Sequence, residues 1–117
     1  MICNAYDVVV VPFPFTDRRV NKRRPAMVLS SAGFSAASGN TVLAMITSAA
    51  NPPWPLDIEI DSKRAGLKAP SKVRMKLFTL DNRLILNRAG ALAKNDRVAI
   101  DGSLMRLLGK GKRPGII

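Results

Sequence analysis

The sequence predicts a mainly β fold: a small antiparallel β-barrel with one helix added at the C-terminal end. Three observations carry that reading. Pro, Gly, Asn and Asp interrupt the apolar runs at short intervals, which is the punctuation of hairpins. LDIEID (56–61) and SKVRMKLFTL (71–80) alternate apolar and polar side chains, the pattern of strands with one wet face. NDRVAIDGSLMRLL (95–108) carries apolar residues at helical spacing.

The elements follow in order. DVVVVPF (7–13) is a continuous β-branched run and reads as a strand buried on both faces. PFTDRRVNKRR (14–24) is cationic and rich in turn residues, so it is expected as a long exposed loop. PAMVLSS (25–31) is the second strand, with Pro25 at its first position because proline has no N–H for a ladder. AGFSAASGN (32–40) is small and polar, a loop or a short turn of helix. TVLAMITS (41–48) is the third strand.

The prolines of AANPPWP (49–55) forbid regular structure there. LDIEID follows as the fourth strand, with Leu56, Ile58 and Ile60 inward and Asp57, Glu59 and Asp61 on a solvated face. After a turn, SKVRMKLFTL sets Val73, Met75 and Leu77 against Lys72, Arg74 and Lys76. RLILNRAGAL (83–92) is a further strand bent at Gly90. In the closing helix, Val98, Ile100, Leu104, Leu107 and Leu108 form the stripe expected to lie on the sheet, and Gly109 is a natural stop. Its start at Ala93 and Lys94 lacks a capping side chain. Phe34 and Phe78 are expected in the core.

At 117 residues the chain predicts one domain, over 1–108, with 109–117 a basic flexible tail. Nineteen Lys and Arg against 8 acids give a net charge of +11, which favours polyanionic partners, nucleic acid first. The first residues, MICNAY, lack the cations of a signal peptide, and no apolar run approaches membrane-spanning length. With Cys3 the single cysteine, these features predict a cytoplasmic protein without membrane contact.

The residue inventory excludes much chemistry. There is no histidine, one cysteine and one glutamate, so neither a zinc site nor a Ser-His-Asp or Cys-His arrangement is predicted. No glycine-rich phosphate loop is present. Asp57, Glu59 and Asp61 share a strand face, which reads as solvated rather than metal-binding. No cofactor or metal is predicted. Arg, Lys, Thr and Ser remain. They are poor bases at neutral pH, but they can stabilise charge growing on a phosphorane. Such groups suit a substrate that carries its own nucleophile, as RNA does in its 2′-hydroxyl, and they equally suit binding RNA without cutting it.

PFPFTD (12–17), RRPAMVLS (23–30), AMITS (44–48), DIEID (57–61), GLKAPSKVR (66–74) and KLFTLDNRLI (76–85) occur in that order. Together they resemble the MazF/PemK-type toxins of bacterial toxin–antitoxin systems, over roughly Tyr6 to Leu108. The resemblance implies an SH3-like barrel with a C-terminal helix, of the MazF/PemK/CcdB type, acting as a homodimer. It implies a sequence-specific, metal-independent endoribonuclease that cuts single-stranded RNA through the 2′-hydroxyl, leaving 2′,3′-cyclic phosphate and 5′-hydroxyl ends. The family's catalytic arginine, directly before the strand-opening proline, falls on Arg24. Its catalytic threonine, at the end of the third strand, falls on Thr47.

Around that pair, Phe15, Thr16, Arg18, Arg19, Lys22, Arg23, Ser48 and Lys76 are the candidate substrate-binding residues. Phe15 and Trp54 offer rings on which bases can stack, although packing is the commoner use of such residues. A cognate acidic antitoxin is expected to cover the 14–24 loop and Arg24. Two other functions remain open at this stage: a DNA gyrase-poisoning toxin of the CcdB-like branch, and a non-catalytic basic barrel that binds RNA.

Overall fold

In a computed structural model, which describes residues 1–13 and 22–110, six antiparallel strands form one open sheet curled into a half-barrel. The strands are β1 (Asp7–Phe13), β2 (Lys22–Val28), β3 (Asn40–Ser48), β4 (Ile58–Ile60), β5 (Ser71–Asp81) and β6 (Asn87–Ala91). Their order across the sheet is β4-β5-β3-β2-β1-β6. Helix α1 (Ala32–Ser38) joins β2 to β3, a 3-10 turn (Asn82–Leu84) precedes β6, and helix α2 (Lys94–Leu107) ends the domain.

Both faces of the sheet are apolar. Val8, Met27, Ala44, Ile46, Val73 and Met75 form the first core, and α2 seals it with Ile100 and Leu104. Val9, Val11, Ala26, Val28, Leu43 and Leu80 form the second, on the opposite face. It is closed at one end by Cys3 and Ile85. A β-branched run such as Val8–Val11 fits this double burial because alternate side chains enter different cores.

Several elements differ from their sequence expectations. Strand β2 begins at Lys22, so Lys22, Arg23 and Arg24 belong to a strand rather than a loop, paired with Phe13, Pro12 and Val11 of β1. Pro25 therefore lies inside the strand, and the ladder with β3 reaches only from Val28 to Ala26. Proline has no N–H to continue it. Residues 32–38 are helical because the Ser31 side chain accepts the Phe34 N–H and Gly39, at φ +76°, ends the helix in a left-handed turn.

The fourth strand shrinks to Ile58–Ile60, since Leu56 takes a left-handed φ of +68° and Asp57 is drawn aside into ion pairs. The expected strand 83–92 divides into the 3-10 turn and β6, whose register with β1 slips at Ala89, next to the predicted bend. In α2 the buried side is Ile100 and Ser103 with Leu104 half-buried, whereas Val98, Leu107 and Leu108 are exposed. Ala93 provides no side-chain cap, as expected, and Gly109 at φ +72° follows the helix end. Phe34 is exposed and not in the core; Phe78 is half-buried against the second core.

Candidate functional site

The end of the second core away from Cys3 is open. There, the β2–β3 ladder has stopped at Ala26 and Met45. Continuing its register by two residues sets Arg24 opposite Thr47, on the face that carries Val11, Ala26 and Leu43. Because Pro25 lets the strands part at this point, the two side chains flank a space instead of a ladder. That space is a cleft of about 430 Å³ lined by both, with Val11, Phe13, Met45 and Phe78 as its apolar floor. Among the described residues, the Arg24 side chain makes no hydrogen bond or ion pair, and it lines the cleft.

The far wall comes from a bulge. Ala44 pairs with Leu77 but Met45 pairs with Arg74, so Met75 and Lys76 bulge out of β5. Bulges re-aim side chains. Here Met75 turns into the first core, while Lys76 and Leu77 line the cleft.

The segment after β3 folds back over the site and is locked to β5. The Asn51 N–H donates to the Ser48 carbonyl (3.1 Å), closing a turn, and the Asn51 side chain donates from Nδ2 to Thr47 Oγ1 at 2.5 Å. Lys72 is only 5% exposed, and its Nζ donates to the Asn51 carbonyl at 2.7 Å. Asp57 receives Arg74 Nε and Nη2 at 3.1 and 3.0 Å, the Trp54 N–H at 3.0 Å, and Lys72 Nζ at 3.4 Å. Arg74 Nη2 also donates to the Pro52 carbonyl (2.8 Å). Burial pushes the Asp57 carboxyl up, but the hydrogen bonds of Arg74 and the Trp54 N–H, with the Arg74 charge and Lys72, outweigh it and hold the group below its usual range. Trp54 lies between this lock and the cleft. The Lys76 ammonium sits 4.8 Å from its ring centroid and the Arg74 guanidinium 5.5 Å.

Arg24, Thr47 and Lys76 thus meet in one cleft, although they lie on three strands. Lys22 and Arg23 are exposed on β2 outside the cleft lining, with Arg23 on the opposite side of the strand from Arg24 by simple alternation. Ser48 also lies outside it, and its hydroxyl accepts the Ala50 N–H at 3.2 Å. Phe15, Thr16, Arg18 and Arg19 lie outside the described residues. Of the face expected to be solvated, Glu59 and Asp61 are exposed, but Asp57 is not: it is mostly buried in the lock with Lys72 and Arg74, their side chains 12%, 7% and 13% exposed. Sequence reasoning missed Asn51, Asp57, Lys72 and Arg74 as site-forming residues. The signal was present in the alternation, because acids on one strand faced cations on the next.

The fold is a half-barrel of six antiparallel strands with a C-terminal helix, and its cleft joins basic side chains to an apolar floor. Residues 4–108 match the model of the PemK-like, MazF-like toxins of type II toxin–antitoxin systems, and the chain belongs to that family. No curated protein sequence matches it. Its fold is similar to that of MazF from Deinococcus radiodurans, with a TM-score of 0.73 at 22% identity over 93% of this chain and 98% of that one. The MazE-MazF complex of the same organism gives 0.75 at 22% identity, covering 93% and 98%. An endoribonuclease in complex with its cognate antitoxin from a mycobacterial species gives 0.74 at 14% identity, covering 97% and 98%. At these identities the likeness carries the fold, and function must be argued from the cleft.

Proposed function

We propose that this toxin is a sequence-specific, metal-independent endoribonuclease that cuts single-stranded RNA, and so inhibits translation and growth. The observation that carries the proposal is that Arg24 and Thr47 line one cleft beyond the end of the β2–β3 ladder, with the arginine side chain unpaired among the described residues. Membership of the toxin family and the endoribonucleases among its structural relatives support the same reading.

In this mechanism the ribose 2′-oxygen attacks the adjacent phosphorus and the bond to the 5′-oxygen breaks. The products are a 2′,3′-cyclic phosphate and a 5′-hydroxyl. The Arg24 guanidinium clamps the non-bridging oxygens and stabilises the growing negative charge. Thr47 donates its hydroxyl to the phosphate. The described lining of the cleft holds no carboxylate or imidazole. The 2′-hydroxyl loses its proton to a base as attack proceeds, and the 5′-oxygen gains a proton as its bond to phosphorus breaks. Lys76 contacts a base or its phosphate at the far wall. Arg18, Arg19, Lys22 and Arg23 steer the RNA backbone, and Phe15, Thr16 and Ser48 contribute to substrate binding.

An acidic antitoxin segment would inhibit by covering the cationic 14–24 segment and Arg24. The active species is taken as a cytoplasmic homodimer, with the domain ending near residue 108 and a basic tail beyond it.

The test is incubation of the purified protein with a long single-stranded RNA in EDTA, beside Arg24→Ala and Thr47→Ala, with the product ends mapped. Discrete cuts with 5′-hydroxyl ends, reduced about 100-fold or more in each variant, are expected. Intact RNA, or cutting untouched by either substitution, overturns the reading in favour of gyrase poisoning or passive RNA binding.

A further inference from the structure

We infer that Asn51 is a positioning residue for the Thr47 hydroxyl, a role that rests on the reading of Thr47 given above. A threonine hydroxyl has one proton to give and two lone pairs to receive with. Asn51 Nδ2 donates into one of those lone pairs at 2.5 Å. An amide N–H can only donate, so this bond leaves the hydroxyl proton unspent and turns it away from Asn51. The cleft that Thr47 and Asn51 both line, with Arg24 also on its wall, is within reach of that proton. The Thr47 hydroxyl is held as a donor for the anion that Arg24 attracts.

Asn51 is exposed and sits on an irregular segment, so its own position has to be fixed by other groups. Three contacts do so. Its N–H closes the turn on the Ser48 carbonyl. Its carbonyl receives the buried Lys72 ammonium at 2.7 Å, and Lys72 is the residue paired with Thr47 across the β3–β5 ladder. Lys72 in turn faces Asp57, which anchors the other end of the same segment. The donor and the acceptor are therefore both referenced to one lysine, which limits their relative movement. Thr47 can be read from the family pattern, but Asn51 stands out only through this bond.

The experiment is a double-mutant cycle on single-turnover RNA cleavage by the full chain, using wild type, Asn51→Ala, Asn51→Asp, Thr47→Ala and the two combined variants. Thermal unfolding is recorded for each. Asn51→Ala should lower the rate at saturating protein about tenfold while RNA affinity changes by less than about twofold. Asn51→Asp should lower it further at neutral pH, because a carboxylate accepts the Thr47 proton instead of leaving it for the phosphate. In the Thr47→Ala background both changes should have less than about a twofold effect, since a residue acting through Thr47 has nothing left to position. Equal losses with and without Thr47, or an Asn51→Asp variant that cuts as fast as wild type, would overturn the role of Asn51 while leaving the nuclease intact. A wild-type protein that leaves RNA whole, or a Thr47→Ala variant that cuts normally, overturns the parent reading and this one with it.

Discussion

The two faces of one sheet are finished in different ways. The first is sealed: Ile100 of α2 is fully buried on it, and the Ser103 hydroxyl donates to the Leu56 carbonyl (3.0 Å). The second is sealed over Val9, Val28 and Leu43 and then left open where Phe13, Arg24 and Thr47 line a cleft. The same strands build both faces, so the difference lies in three local departures from ladder geometry. Pro25 ends the β2–β3 pairing, the bulge at Met75–Lys76 re-aims β5, and the 49–57 segment is tied across the gap by Lys72, Arg74 and Asp57. The closed face is sealed core, and the proposed chemistry lies in the place where pairing was given up.

That division can be broken by substitution. Ile100→Ala should have the largest effect on stability, about 4 kcal/mol for a fully buried side chain in a close-packed core. The cleavage rate per folded molecule should change by less than about twofold, because the cleft is untouched. Chemical denaturation beside an RNA assay at a temperature where the variant is folded measures both. A proportional loss of activity would show that the faces are not separate.

Asp57→Asn should cost less stability, about 2 kcal/mol, by leaving Lys72 and Arg74 mostly buried without their counter-charge. Here activity should fall as well, since the lock that carries Asn51 and Trp54 is loosened. The pH dependence has a definite sign. The folded-state carboxyl of Asp57 lies below its unfolded value of 3.8. Its contribution is complete above that value and is lost as pH falls through the lower folded one. Melting temperatures of wild type and Asp57→Asn should therefore converge in acid below pH 3.8 and differ by a constant amount near neutrality. A gap that widens in acid would contradict this reading.

Much of the sealed face was legible in the sequence because burial leaves a pattern. The Val8–Val11 run, the Val73 and Met75 alternation and the Ile100–Leu104 spacing all report cores directly. The open face was less legible. The first residues of β2 are Lys22, Arg23 and Arg24, which join β1 through backbone pairing alone and carry no apolar signal. The left-handed turn at Leu56 is a backbone conformation that no residue type there announces. Charged residues that pair read as solvated until their partner is known, which hid Asp57, Lys72 and Arg74. Arg24 and Thr47, which line the candidate cleft, were singled out through resemblance to a family, and Asn51 was not, because it reaches the cleft through a turn. Exposed Val98, Leu107 and Leu108 show the converse error, apolar spacing without a core to meet it.

The most direct measurement is an amide chemical-shift titration of the isotope-labelled protein with a single-stranded RNA bearing 2′-O-methyl groups, which binds but lacks the attacking hydroxyl. An active site at the open end of the second face predicts shifts centred on Arg24, Met45, Thr47, Asn51 and Lys76, with α2 unmoved. Shifts centred on Val98, Met105 and Leu108, with the cleft silent, would contradict it.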